Sequence, residues 1–489
     1  MMNRRNFNLY AVAGFVSLLT NTKQSHSAVT TAFPVVNVKN YGAKGDGITD
    51  DYLALKRAFA KINQQKTGTL YFPPGTYLIG VHQISGGEFK NDVTNLELRD
   101  CKNVTVYGSK ATIVCAGGWV KKADYLLDNG HTYSFHDTVG LLFVNCRNLT
   151  IFSLTFDGGS STIIKEATAE SDSIGIRLVG CYGVKLSKLY LHHFCSDGFL
   201  VESSEPIDNY FKVTQRLTVT DCIFDRNARQ GVSIVGLRYG TFTRCTFSNT
   251  GYAEYGGHSP CAGLDIEADV AHDDPTSPLK GDHSTGNITF EDCKFINNLG
   301  FEFVSSTANT TKNPIQLTRC LFKSTRADND HAAVVPTTAN TTFTDCYFDE
   351  VGLWPNYGAE DVATVTKVIN CGFKSSRPQL TVLLMADYVE PILYVKGCSF
   401  KLASPAAHTW YRLFLRGETI SFLNNSVFIS SKEAIHNVEY DFIGLLECKQ
   451  FIGNTCFSDA NKNMYIGVLR RTVLKNNKLK NIGLWISES

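Results

Sequence analysis

Seven short segments repeat one pattern: TDCIF, TRCTF, EDCKF, TRCLF, TDCYF, INCGF and KGCSF. They set Cys222, Cys245, Cys293, Cys320, Cys346, Cys371 and Cys398 at one position, each two residues before a phenylalanine. Successive spacings are 23, 48, 27, 26, 25 and 27 residues, the 48 being two periods or one period with an insertion. A second series interleaves with the first: GIRLVG from Gly175, GFLVES from Gly198, GVSIVG from Gly231, GLDIEA from Gly263 and GFEFVS from Gly300. Each member is apolar at alternate positions, the period of a strand. A fixed period of about 20–30 residues built from strands and polar turns is a solenoid, in which each coil buries its apolar face against its neighbours.

The expected fold is therefore all-β, a single-stranded parallel β-helix in which two strand types alternate along the coil. The Cys and Phe columns stack along its interior, the cysteines as packed free thiols, because a buried cysteine behaves as a small soft apolar group. FLNNSVF, FIGNTCF and VLKNNKL carry the pattern to near residue 480, and no low-complexity stretch divides it. Helical periodicity is confined to DDYLALKRAFAKI at 50–62, which predicts one amphipathic helix near the start.

Lysine and arginine number 47 against 46 acidic residues, a balance that excludes a nucleic-acid binder resting on basic excess. Arg4 and Arg5 precede the apolar run LYAVAGFVSLL at 9–19, followed by Ser27-Ala28. The run is too short for a permanent membrane span, so residues 1–28 are expected to be a cleaved export signal, twin-arginine by the form RRNF or an ordinary secretory one. The expected location is periplasmic or secreted, with no stable membrane insertion.

VNVKNYGAKGDGITDDYLALKRAFAKI followed by GTLYFPPGTYLI at 68–79 resembles the opening of the pectate-lyase superfamily. The resemblance implies a right-handed parallel β-helix, with residues 33–80 forming an N-terminal cap and first coil and 81–489 the helix proper. It implies that the opening helix covers the end of the coil, with Asp46, Asp50 and Asp51 as turn and N-cap residues. The superfamily includes hydrolases, lyases, epimerases, binding proteins and tailspikes, so the fold does not choose the reaction. The GHG of its pectin hydrolases is missing here, which speaks against pectin.

CAGLDIEADV at 261–270 sets Asp265, Glu267 and Asp269 on one strand face, opposite Leu264 and Ile266. Like charges so placed repel. Counted from each glycine, one outward column reads Arg177, Leu200, Ser233, Asp265, Glu302, and the next Val179, Glu202, Val235, Glu267, Val304. This alignment predicts Asp265 beside Glu302 on adjacent rungs about 5 Å apart, and Glu267 about 6.5–7 Å along the strand. Such separations bracket those of glycosidase carboxylate pairs, and close acids push one pKa up. Asp265, Glu267 and Glu302 are the candidate catalytic residues. Insertions flank this rung at 203–215, 248–262 and 271–286 and bring Tyr210, Tyr252, Tyr255, His258, His272 and His283 near. The candidate substrate-binding residues are Arg229, Gln230, His258, Glu202, Asp197 and Tyr255. Arg229 either holds a substrate anion or makes a rung-to-rung ion pair. His192 and His193 read as turn residues, and the acids themselves have a plainer reading as a solvated face.

The expected activity is hydrolysis of a polysaccharide in a lateral groove, Asp265 and Glu267 serving as acid and base in either order. The alternatives are a lyase acting on a uronic-acid polymer, in which the acids would hold Ca²⁺, and a non-catalytic glycan-binding β-helix. No cofactor or metal is expected for a hydrolase, and Ca²⁺ only for a lyase. The expected partner is the polysaccharide, with no nucleic acid.

Overall fold

In the computed structural model, the sheets grow by one rule over most of the coil: from Ser173–Val179 to Leu383–Met385, each strand pairs in parallel with the strand three places later in the chain. The structure describes residues 34–79, 96–115, 124–126, 132–134, 138–160, 173–204, 213–267 (without 253, 255, 256 and 258), 285–305, 314–326, 332–337, 340–355, 365–377, 380–385, 392–403, 412–430, 441–459 and 464–487. Residues 1–33, with the expected export signal, lie outside them.

One coil runs through the strands Asp197–Glu202, Thr214–Thr220 and Ile223–Asp225, and the next begins at Gln230–Ile234. Asp197 faces Gln230, Thr214 faces Leu237 and Ile223 faces Thr246, so three parallel sheets wind side by side. The expected two strand types are thus three. A segment such as TDCIF is not one strand but the corner between two. Asp221, Arg244, Asp292, Arg319, Asp345 and Asn370, each just before a ladder cysteine, have φ between 51° and 55°. That left-handed residue turns the chain from one sheet to the next. It also breaks the strict alternation of side chains and leaves the following cysteine inside.

The ladder is otherwise as the repeat demands. Phe224, Phe247, Phe295, Phe322, Phe348, Phe373 and Phe400 stack ring on ring, with centroids 4.4–5.4 Å apart. Lys294 N donates to Cys245 O at 2.9 Å, so the 48-residue spacing is one period carrying an insertion. Beyond Cys398 the corner is taken by Asn425, Asn454 and Asn477. Cys398 N donates to Asn425 Oδ1, Asn425 N to Asn454 Oδ1 and Asn454 N to Asn477 Oδ1, at 2.8–2.9 Å. A polar ladder replaces a thiol ladder because each amide satisfies the corner N–H of the preceding rung.

All fifteen cysteines are free, and all except Cys261 are buried. Cys222 Sγ and Cys320 Sγ, for example, donate to Thr220 O and Thr318 O. Unfolding in denaturant without reductant is expected to expose nearly all fifteen thiols to a colorimetric reagent, while the folded protein reacts mainly through Cys261. Fewer than half reacting after unfolding would mean disulfides.

The helix Tyr52–Gln65 buries Tyr52, Leu55, Ala58, Phe59 and Ile62 against the first coil. It starts two residues later than the periodicity suggests, because Asp50 and Asp51 are spent on the turn. Asp51 is buried and its carboxylate accepts from Lys44 N at 2.6 Å and Gly45 N at 2.9 Å, while Asp50 Oδ1 accepts from Tyr52 N. Asp46 accepts from Thr49 N and Ile48 N, bonds that hold its carboxyl down at about 2. All three are structural, as the resemblance implies. Among the described residues no helix is long and apolar enough to cross a membrane.

Candidate functional site

The glycine series marks where one rung's backbone presses on the next. A Cβ at Gly175 would stand 2.4 Å from Gly198 O, one at Gly231 2.4 Å from Gly263 O, and one at Gly263 2.7 Å from Glu302 O. The ladder therefore passes from Gly263 to Glu302, not to Gly300. The pairing register agrees: Leu264 faces Phe303 and Asp265 faces Val304. On its other side Phe301 faces Ala333 and Phe303 faces Val334, which makes Glu302 the extra residue of a bulge.

Glu302 is consequently fully buried rather than beside Asp265. Its carboxyl accepts from Asn298 Nδ2 at 2.6 Å and from Asn298 N at 3.3 Å. Burial pushes it up to about 8 against these bonds. Its expected catalytic place on the outer face is overturned, because counting from a glycine cannot see a bulge that re-aims the side chain.

Asp265 sits in the middle of the Ala262–Ile266 strand, in a column that runs Arg177, Leu200, Ser233, Asp265, Val304. Leu264 and Ile266 point into the core. Asp265 points away from it and is still only 4% exposed, which rules out a solvated face for this residue. Gln230 Nε2 donates to Asp265 Oδ2 at 2.7 Å. Asp265 Oδ1 and Gln230 Oε1 are buried without a hydrogen-bond partner among the described residues. Burial first, then the negative charges of Glu267 and Asp197 against the opposing pull of Arg229, raises Asp265 to about 8. At neutral pH it is a carboxylic acid. The Gln230 amide donates to Oδ2, which leaves Oδ1 as the oxygen open to a proton.

Asp197, one of the expected binding residues, is 1% exposed and lies opposite Gln230. Arg229 Nη1 donates to Asp197 Oδ2 at 3.4 Å, and Arg229 Nη2 stands 3.9 Å from Glu267 Oε2. Arg229 thus bridges two acids across rungs, held by its own N–H on Ser196 O. Glu267, with a side chain 54% exposed, is the solvent-facing acid of the group. Glu202 is on the same face but pairs with Arg177 at 2.7 Å. Ile174 and Leu200, with Leu142 and Val235 against them, form a small apolar patch outside the main core. Tyr252 is engaged elsewhere: its hydroxyl donates to Asn297 O, and Arg326 lies over its ring. Tyr255 and His258, together with Tyr210, Asp269, His272 and His283, lie outside the described residues.

One further group was not assembled from the sequence, in which His192 read only as a turn residue. Asp157, His192, Asp225 and Ser248 face one another in turn along four rungs. Each directly follows an inward apolar residue: Phe156, Leu191, Phe224 and Phe247. That repeat position was the available signal. Asp225 is fully engaged, accepting from Ser248 Oγ and Asn249 Nδ2 at 2.7 Å and from Tyr190 Oη at 3.1 Å, with Arg226 in close contact.

Residues 35–258 match the family described as rhamnogalacturonase A/epimerase, pectate lyase-like, and residues 153–373 match the right-handed β-helix region. The chain is a right-handed parallel β-helix whose N-terminal part is pectate-lyase-like, as its opening motif implies. Among curated proteins it is 33% identical over 104 residues to alginate lyase 7 of Azotobacter vinelandii, a match covering 21% of this chain and 11% of that one. It is also 33% identical over 86 residues to mannuronan C5-epimerase AlgE1 of the same organism, covering 17% and 6%. The matched segments are about a tenth or less of those relatives' length. Among solved structures, PfbA, a surface adhesin of Streptococcus pneumoniae, superposes with a TM-score of 0.50 at 12% identity, covering 91% of both chains.

Proposed function

We propose that the protein is an exported enzyme that cleaves a polysaccharide on the face carrying Asp265, by hydrolysis. The observation that carries this reading is the Asp265 carboxyl, kept protonated by burial and held by the Gln230 amide beside the solvent-facing Glu267. The Asp265 carboxyl, closed off from solvent in the free protein, gives its proton to the glycosidic oxygen as the C–O bond breaks, a step that requires the bound sugar chain to gain access to it. Glu267 takes a proton from the water that attacks the sugar carbon. Two residues along a strand put the backbones about 6.5–7 Å apart, and an inverting pair needs its carboxyl groups about 6.5–9.5 Å apart to leave room for the water. Arg229 keeps the positive charge near Glu267 and Asp197.

Elimination on a uronic-acid polymer is the second reading, favoured by the segment shared with alginate lyase 7. Two features weigh against it. A neutral buried Asp265 offers Ca²⁺ no charged oxygen, and an Arg229 paired with acids holds its proton rather than accepting one.

Incubation with a panel of bacterial and plant polysaccharides, alginate included, separates these readings. New reducing ends without the absorbance of unsaturated products are expected. Both signals together would make the protein a lyase. Binding without either signal would make it a scaffold.

A further inference from the structure

Adjacent residues on a strand point to opposite faces, so two consecutive histidines ordinarily cannot meet. His192 and His193 do meet. His192 ends the strand Tyr190–His192, and His193 takes φ 57° at the corner that follows. The left-handed corner swings the second ring back, and the two Nδ1 atoms stand 2.6 Å apart. Asp157 lies one rung earlier, directly opposite His192. Its Oδ1 is 3.8 Å from His192 Nδ1 and 4.0 Å from His193 Nδ1.

We propose that Asp157, His192 and His193 form a site for a divalent first-row transition metal of the Zn²⁺ class. Two imidazole nitrogens and one carboxylate oxygen are the donor set that such ions prefer, whereas Ca²⁺ takes oxygens. With bonds of about 2.1 Å, tetrahedral donors stand about 3.4 Å apart. Opening the nitrogen pair by about 0.8 Å and closing the carboxylate by about half an ångström brings all three into range. The metal would replace the proton that two imidazole nitrogens at this separation must otherwise share.

The surroundings suit the role. The His192 ring stacks on Tyr190 at 4.2 Å, and Asp157 Oδ1 accepts from Gly159 N at 2.9 Å, so both ligands are oriented. Ser160, whose N–H donates to His193 O, is 8% exposed, and its hydroxyl has no hydrogen-bond partner among the described residues. A buried hydroxyl tethered to a ligand residue is a ready acceptor for a metal-bound water. The side chains of His192, His193 and Asp157 are 12%, 29% and 31% exposed, which leaves an entry path and open coordination positions. Four residues after His193, Asp197 begins the strand that supports Arg229.

Titration of the full chain with Co²⁺ tests the site, since its visible bands distinguish nitrogen and oxygen ligands from thiolate. One equivalent bound with nitrogen–oxygen bands, displaced by Zn²⁺, is expected. His192→Gln should weaken binding by about 100-fold, at least the loss that outer partners of a ligand cause. Asp157→Asn, which removes the charge while keeping an oxygen for Gly159 N, should weaken it by about 10-fold or more. No binding, binding unchanged in both variants, or thiolate charge-transfer bands from the cysteines would each overturn the assignment.

Discussion

Asp265→Asn is expected to lower turnover on the true substrate by about 100-fold or more while leaving the coil folded. Proton donation by a positioned side chain is worth about 10²–10⁴-fold, and an amide has no proton to give. The loss should be local, because Asn can still accept from Gln230 Nε2 as Asp265 Oδ2 does. Glu267→Gln should cost a similar factor with less structural consequence, since Glu267 is the exposed member. Glu202→Gln should cost much less: that carboxylate is already committed to Arg177. Steady-state kinetics with circular dichroism as the folding control separates these outcomes. If Asp265→Asn and Glu267→Gln both keep near-normal turnover, the chemistry lies elsewhere on the coil.

Two residues should each take stability away as pH rises through the neutral range. Asp265 and Glu302 both stand at about 8 in the folded chain. Unfolded, they titrate near 4. Between about pH 4 and 8 the folded state holds protons that the unfolded state has released, so each group removes about 1.4 kcal/mol per pH unit. Their contribution is fully retained below the unfolded value and is lost on the way to 8, the reverse of an ion-paired carboxylate. Asp265→Asn and Glu302→Gln cannot ionise. Each variant's melting temperature relative to wild type should therefore climb between pH 5 and 8 and level off above. A difference that stays flat with pH would mean that neither carboxyl is protonated in the native state.

The solenoid was legible because its signals are periodic and local. A cysteine two residues before a phenylalanine, recurring at one period, leaves no choice but to stack, and the rings do stack. The opening helix was readable from its apolar period, and the turn roles of its three aspartates from the family resemblance of the opening motif. The strand bearing Asp265 was readable too, from alternation and from the insertions around it.

What failed depended on register. Glycines align coils only while every coil has the same length inside its strands. One extra residue between Phe301 and Phe303 took Glu302 off the outer face and into the interior beside Asn298. The corners were missed for a related reason. A left-handed residue such as Asp221 looks like any polar residue in sequence, and only its φ shows that a strand has ended. The same blindness hid the meeting of His192 and His193, which exists only because the corner breaks alternation. Arg229 was read as either a substrate ligand or an ion-pair partner, and its contacts with Asp197 and Glu267 give it the second role.

The proposed mechanism requires Asp265 to be a neutral acid at physiological pH, burial outweighing Arg229. Infrared difference spectroscopy of the wild type against Asp265→Asn reads this directly, since a protonated carboxyl has its own C=O stretch and the subtraction removes Glu302. The account predicts a carboxylic-acid band at pH 7 that belongs to Asp265 and titrates away near pH 8. A carboxylate signal at pH 7, with the acid band emerging only below pH 5, would contradict it.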